Sequence, residues 1–340
     1  MYSILLLLLV STSKIFCEKF HLLHQNYYDI DESEEIFKQF LEYFDKFYDK
    51  SEYRKRLNVL KDNLLKINQW NKEENRKYTL NEFADLTEDE FSQTYLGLNE
   101  IISSRTGVDV IEYESKGGAP ENLDWRRFGY VSSVKHQSQF HRCGSCYAFS
   151  AVGHIESRHA MKHNITAINL SAQQALDCDY LDLGCDGGDP VHVFETLSEQ
   201  GGSMRDKDYP YVSVQGKCKT DKEEIEVKVN GGTQLMLKDE DAMKDAVAHL
   251  GPLSVAIRFT HKMAAKVTHE IYDGAYCETS RTNNLNHAVI VVGYGRENNK
   301  DYWIIKNSWG EKWGDHGYLR LIRGVGACGI GNVAFLADVE

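Results

Sequence analysis

The sequence predicts an α+β protein whose helices and strands are segregated along the chain. Up to about residue 201, apolar residues recur at helical spacing, over 33–76, 145–161, 171–178 and 189–201. Beyond that point, short apolar and β-branched runs at 225–237, 252–259, 287–295, 301–307 and 317–323 read as strands. A length of 340 residues exceeds one ordinary domain and suggests two or three units.

In chain order, Ile4–Val10 is a short apolar run followed by Ser and Thr, too short to span a bilayer and suited to a signal peptide cut after Cys17. Ile36, Phe37, Phe40, Leu41, Phe44 and Phe47 form an aromatic-rich core stripe on the helical stretch 33–76. Glu52, Arg56, Leu60, Asn63, Ile67 and Asn71 follow at intervals of four and three, which places them on one face of a long helix. Thr87-Glu-Asp-Glu90 is a capping box that opens another helix. Residues 99–118, with Ser103, Ser104, Gly107, Gly117 and Gly118, read as an exposed linker suited to proteolytic nicking. A 42% apolar fraction suffices for sizeable cores, and a formal charge of −12 argues against nucleic acid or an anionic membrane as partner. No repeat and no later membrane-length apolar run is present.

Chemistry gathers around Gln137–Ser150. Cys146 stands where a loop gives way to a helix, Ser145 to about Met161, with Ser145 as N-cap and Phe149, Val152 and Ile155 on its apolar face. A thiol in a first helical turn feels the positive end of the helix dipole, which favours the nucleophilic thiolate. Cys143 and Cys146 alone also fit a structural or metal-binding Cys-x-x-Cys, but no second Cys/His pair at zinc spacing accompanies them, so no metal is expected. His287 stands at the mouth of the buried strand Ala288–Val292, and Asn307 ends the apolar strand that begins at Tyr302, with Trp309 just beyond. Cys, His and Asn in that order suit a thiolate–imidazolium pair oriented by an amide and shielded by an indole. His159 and His163 lie one helical turn apart, but no Glu follows His159, so the zincin pattern fails.

On these residues the chain resembles the papain family of cysteine peptidases, and within it a cathepsin L-type zymogen. Cys143-Gly-Ser-Cys-Tyr147 fits the family signature, and His287 follows Cys146 by 141 positions (287 − 146). Asn307 follows by 161 (307 − 146). The Glu52–Asn71 face matches the propeptide helix motif, with Leu60 in place of Phe, and Asn81–Asp85 matches the second propeptide motif, with Thr79 where Gly is usual. The resemblance implies a papain-like two-lobed fold, a helical lobe and a β-barrel-like lobe, preceded by a helical inhibitory prodomain. It divides the chain into a signal peptide (1–17), an inhibitory propeptide (18–116) and a peptidase domain (117–340). The mature N-terminus is expected near 117–121, ahead of Pro120–Arg126. The late propeptide would run backwards through the cleft. Acid would release it by protonating its carboxylates.

The seven cysteines from Cys143 onward fit one reactive thiol and three disulfides in an oxidising compartment, although six cysteines allow 15 pairings. The resemblance implies Cys143–Cys185, Cys178–Cys218 and Cys277–Cys328. It makes Cys146 the nucleophile, His287 the acid–base and Asn307 its orienting amide. Gln137, with the Cys146 N–H, completes the oxyanion hole, and Gln139 is the alternative donor. Gly187 and Gly188 pair with substrate backbone; Trp309 borders the site. Pro190, Ala256, Leu285 and Val333 fall at the main specificity pocket, so an apolar residue is favoured two positions before the scissile bond. Asp189 is an unusual neighbour there. Tyr147 replaces the usual Trp, as in cathepsin C.

Five residues, 138–142, separate Gln137 from Cys143, about three more than the cathepsin L pattern has, so an insertion lies within them. Cathepsin X (cathepsin Z) carries a similar one, and by that likeness His141 or Arg142 would bind a substrate carboxylate; a solvated loop without a role is the plainer reading. Asn164-Ile-Thr166 is a glycosylation acceptor, and Asn169 a weaker one because Ser171 caps the next helix through a Ser-x-x-Gln box. The function expected is a secreted or lysosomal cysteine peptidase, mainly an endopeptidase, needing no cofactor and acting as a monomer on proteins and peptides. Its own propeptide and cystatin-like inhibitors are the implied partners. A carboxypeptidase, a silent binding homologue and a transglutaminase-type acyl transferase are the alternatives.

Overall fold

The computed structural model describes residues 21–74, 78–98, 110–266, 269–277 and 284–340. The expected signal peptide and linker residues 99–109 lie outside them. The chain divides into two compact units: residues up to Phe91 together with Ala264–Lys266, and Ser92–Met263 together with Val267–Glu340.

The first unit is built on α1 (Ser33–Tyr43) and α2 (Lys50–Glu74). Ile36, Phe37 and Phe40 are fully buried. The stretch expected as one helix is two. Asp45 adopts a left-handed φ of 54°, which ends α1, and the Asp49 carboxylate restarts the helix by accepting from the N–H groups of Ser51 and Glu52. Phe47 therefore lies in the connection, 93% exposed, and is not core. The motif face of α2 packs inward. Arg56, 1% exposed, bonds the carboxylates of Glu52 and Glu90 and the carbonyl of Asp85, while Asn63 donates to the carbonyls of Ala84 and Leu86. Asp85 in turn accepts from Lys46 and Tyr48, each at 2.6 Å. The Thr87/Glu90 capping box is closed in both directions and opens α3 (Glu88–Tyr95).

The second unit carries the main sheet. Its strands are β1 (Val110–Glu112), β2 (Leu123–Asp124), β5 (Val229–Met236), β6 (Leu253–Ile257), β7 (Ile271–Tyr272), β8 (His287–Glu297), β9 (Lys300–Lys306), β10 (Tyr318–Ile322) and β11 (Ala334–Val339). They lie in the order β1-β5-β11-β6-β8-β9-β10-β7, with β2 against β8. Pairing is antiparallel except at the ends, where β1 joins β5 and β7 joins β10 in parallel. A separate ribbon pairs β3 (Ser203–Met204) with β4 (Ile225–Val227), so the expected strand 225–237 is two strands in different sheets.

Two helices pack on this sheet, α4 (Cys146–His163) and α6 (Pro190–Gln200), and α5 (Ala172–Cys178) packs against both of them. Tyr147, Val152, Ile155, Val193, Phe194 and Leu197 meet Val229, Ala256 and Phe335 in one buried cluster. Asn164, left-handed at φ 52°, closes α4. Helices α7 (Glu240–Leu250) and α8 (His261–Lys266), with β1 and β11, were not anticipated from the sequence. Among the described residues no helix is long and apolar enough to cross a membrane.

Candidate active site

Cys146 is the first residue of α4 and fully buried. Ser145 occupies the N-cap position but does not cap. Its ψ of 24° is not the extended value that aims a hydroxyl at the helix N–H groups, and its Oγ pairs with the Tyr211 hydroxyl at 2.7 Å. The thiol is met by the Gly97 N–H at 3.3 Å and by the backbone N–H of Ala288. Burial pushes it up to about 11 despite those donors.

His287 opens β8, and Asn307 follows the last residue of β9. Antiparallel pairing of these strands brings the two side chains together, with His287 Nε2 2.8 Å from Asn307 Oδ1. An amide oxygen only accepts, so Nε2 carries the proton and Nδ1 keeps a free lone pair. Among the described residues Nδ1 has no hydrogen-bond partner. The Trp309 ring lies 4.8 Å from the imidazole, and Phe259 packs edge-on to Trp309. Burial pushes His287 down to about 4, against the bond to Asn307.

Gln137 is fully buried, held by Ser308 through its backbone N–H and its Oε1, both at 2.8 Å. Its Nε2 donates to the carbonyls of Cys143 at 3.0 Å and Thr94 at 3.3 Å. Gln139 is exposed. The 138–142 loop turns back through Ser138 N–H to His136 Nδ1 and Phe140 N–H to Ser213 Oγ, leaving His141 and Arg142 exposed.

Residues Thr94–Leu98 run across these groups. Gly188 N–H donates to Gly97 O at 2.9 Å, Leu98 N–H donates to Asn286 O at 3.2 Å, and Leu98 forms a parallel bridge with Gly188. The Tyr95 ring packs against Trp309. Leu98, Leu285 and Val333 all pack against the cluster containing Ala256, and Pro190 is buried at the start of α6. Gly187 has a φ of 110°, which only glycine adopts easily. The Asp189 carboxylate caps α6 by accepting from Val191 N–H and is 4% exposed. Tyr147 is buried and donates to Gly184 O at 3.0 Å.

Among the described residues the disulfides are Cys143–Cys185, Cys178–Cys218 and Cys277–Cys328, leaving Cys146 free. Asn164 and Asn169 are both exposed, the former accepting from Tyr130 OH. The Ser171 hydroxyl accepts from Gln174 N–H, but the Gln174 side chain turns to Met204 N–H and Gly202 O, so that box closes on one side only. Sequence reasoning overlooked Ser308, whose hydroxyl fixes Gln137, although the Asn307-Ser-Trp run placed it beside the site. It also overlooked Gly97 and the buried pair Asp182–His192.

The model of the papain family cysteine protease matches residues 119–337, and that of the cathepsin propeptide inhibitor domain (I29) matches residues 37–91. The chain is 39% identical over 329 residues to a viral cathepsin of Heliothis zea nuclear polyhedrosis virus, covering 90% of this chain and 85% of that one. Digestive procathepsin L 3 of Tenebrio molitor larval midgut superposes with a TM-score of 0.78 at 32% identity, covering 90% of this chain and 99% of that one. The proform of the ragweed pollen allergen Amb a 11, a cysteine protease, gives 0.78 at 31% identity, covering 93% and 98%. The protein thus belongs to the papain family of cysteine proteases, as a zymogen with a cathepsin-type propeptide.

Proposed function

We propose that the chain is the zymogen of an endopeptidase that cleaves polypeptides through Cys146 and His287. One observation carries this reading: the groups assigned to chemistry already face a polypeptide, Thr94–Leu98. Thr94 O lies on Gln137 Nε2, Gly97 N–H on the thiol, and Gly97 O on Gly188 N–H. A substrate strand replacing that segment would meet the same donors.

In the uncovered site, Cys146 attacks the peptide carbonyl as a thiolate, its proton having passed to His287 Nδ1. The oxyanion is held by Gln137 Nε2 and the Cys146 N–H. Asn307 fixes the imidazole ring, and His287 delivers the proton to the leaving amine, then activates water to hydrolyse the thioester. Pro190, Ala256, Leu285 and Val333 favour Leu, Val or Phe two residues before the scissile bond, and the packing of Leu98 on the same cluster supports that preference. The peptidase begins near 117–121 and the inhibitory part ends near 116. Three disulfides support an oxidising compartment, hence the secretory pathway with a lysosomal or extracellular destination.

The test is hydrolysis by matured protein of one Leu-containing peptide with free and with amidated C-terminus, beside Cys146→Ala. Equal cleavage of both peptides, abolished in the variant, is expected. Cleavage confined to the free C-terminus would assign a carboxypeptidase role to His141 or Arg142. Activity retained by Cys146→Ala would overturn the assignment.

A further inference from the structure

A buried acid–base pair lies directly beneath Gly188 and is not used by the chemistry above. The Asp182 carboxylate and the His192 ring are both fully buried, with Oδ1 2.8 Å from Nδ1. Both Asp182 oxygens accept from the Asp189 N–H, each at 3.1 Å. A Cβ on Gly188 would collide with the Asp182 carboxylate and stand 2.6 Å from the Tyr147 ring, so the backbone rests on the pair with no room for a side chain. Asp179, at the end of α5, holds Asp182 in turn by accepting from its N–H at 3.2 Å. The charged or titratable groups around Asp182 are His192 and Asp189 of the α6 segment, Asp179 after α5 and Tyr147 of α4.

Burial and the neighbouring Asp179 push Asp182 up, although His192 opposes this. Burial opposes the charge on His192, but its bond to Asp182 and the charges of Asp182, Asp189 and Asp179 together outweigh it and raise the imidazole. The pair therefore retains a proton across the acid range. A proton shared between two buried groups keeps their bond short and directional. The peptide unit joining Gly188 to Asp189 is thereby clamped from below, while the Gly188 N–H points the other way, to Gly97 O.

We propose that Asp182 and His192 form a positioning pair that holds the Gly187–Asp189 strand where it hydrogen-bonds a polypeptide in the cleft, and so governs substrate binding over several residues, not bond cleavage. This rests on the reading of Gly188 as a substrate-pairing residue. Neither side chain touches the reacting atoms; both act through Gly188.

The experiment compares two substrates of the matured enzyme: a tripeptide amide with Leu two residues before the bond, and an amino-acid ester with a free amino group, which has no carbonyl beyond the residue before the bond. The ester is too short to pair with Gly188. Asp182→Asn keeps the shape and one acceptor but loses the charge. It is expected to raise KM for the tripeptide about five- to tenfold, the loss of one well-placed backbone hydrogen bond, with kcat within about twofold. The tripeptide-to-ester ratio of kcat/KM falls by the same factor. His192→Gln provides a second route should Asp182→Asn fail to fold, and moves KM in the same direction. A tripeptide KM within about twofold of wild type in the folded variant, or equal losses on both substrates, overturns the proposal. A wild-type enzyme that does not favour the tripeptide over the ester overturns the pairing role of Gly188 itself, a separate failure.

Discussion

The backbone amide of Gly97 donates to the thiol of Cys146 at 3.3 Å, so the residue that would attack a substrate is covered by the chain's own backbone. Burial raises the thiol to about 11 and lowers His287 to about 4. Both shifts disfavour a thiolate–imidazolium pair while Thr94–Leu98 is seated. Alkylation of Cys146 by iodoacetamide at pH 6 is therefore expected to be roughly a hundredfold slower in the uncut chain than after removal of that segment. Equal rates would show that the segment does not suppress ionisation.

How much of this was legible in the sequence depends on how local each signal is. The Glu52–Asn71 face could be read because helical periodicity alone puts Arg56 and Asn63 on one side, where both are now buried. His287 and Asn307 stood out because each borders an apolar strand. The break after Tyr43 depends on one residue, Asp45, adopting a left-handed φ, and nothing in the periodicity announces it. Strand β1 is three residues whose pairing with β5 spans more than a hundred positions. Asp182 and His192 are ordinary polar residues ten positions apart, and only the turn between α5 and α6 makes them a pair. Long-range register and backbone conformation, not residue type, separate what could be read from what could not.

Arg56 is the central support of the propeptide unit. It is 1% exposed and ties Glu52, Asp85 O and Glu90 together. Arg56→Ala leaves the Glu90 side without its principal partner and is expected to destabilise this unit by about 3 kcal/mol. Urea unfolding of the full chain, carrying Cys146→Ala to prevent self-processing, measures it. Burial opposes ionisation of Glu90, but bonds from Arg56, Lys55 and Thr87 N–H outweigh it and hold the carboxyl well below its usual range. A depressed carboxylate stabilises the fold fully above its unfolded value, near 4.5, and loses that contribution as pH falls through the folded value. Acid weakening through this pair therefore begins only below about pH 4.5, and Glu90→Gln is expected to flatten the stability profile there. An unchanged slope would remove Glu90 from the acid response.

The segment leading out of β1 is clamped at Asp245, which is 4% exposed and accepts from Tyr113 OH and Lys116 N–H, each at 2.7 Å. His249 Nε2 meets Gly117 O at 2.9 Å. Gly117 and Gly118 are left-handed, at φ 73° and 77°, so this stretch is not the extended strand a protease cleaves. Burial opposes the Asp245 charge, but the donors prevail and its carboxyl lies below the usual value of 3.8. The clamp accordingly persists at pH 5 and is lost only at pH below that value. Asp245→Asn is expected to speed cleavage between residues 113 and 119 by added mature enzyme about fivefold at pH 5, as one charge-assisted bond is weakened. Unaltered cleavage would mean that the rate is set elsewhere.

Gly97 offers the sharpest separation between covering the site and building it. A Cβ at this position would overlap the carbonyl oxygen of Gly144, which is backbone and cannot rotate away. Gly144 is itself fixed, because its N–H donates to Cys185 O at 2.8 Å and the neighbouring Cys143 is bonded to Cys185. In Gly97→Ala one backbone has to yield, and the expected one is the Thr94–Leu98 segment, which contributes no side chain to the proposed chemistry. Its displacement removes its bonds to the Cys146 thiol, the Gly188 N–H and Gln137 Nε2 together. The uncut variant is expected to alkylate at Cys146 at least about tenfold faster than the uncut wild type and to hydrolyse a small Leu-containing peptide without processing. The matured enzyme from either chain should be identical, since residue 97 has been removed. If Gly144 moved instead, the oxyanion side of the site would distort, and the uncut variant would stay as inert as the wild type. The two outcomes therefore report which of the two backbones gives way.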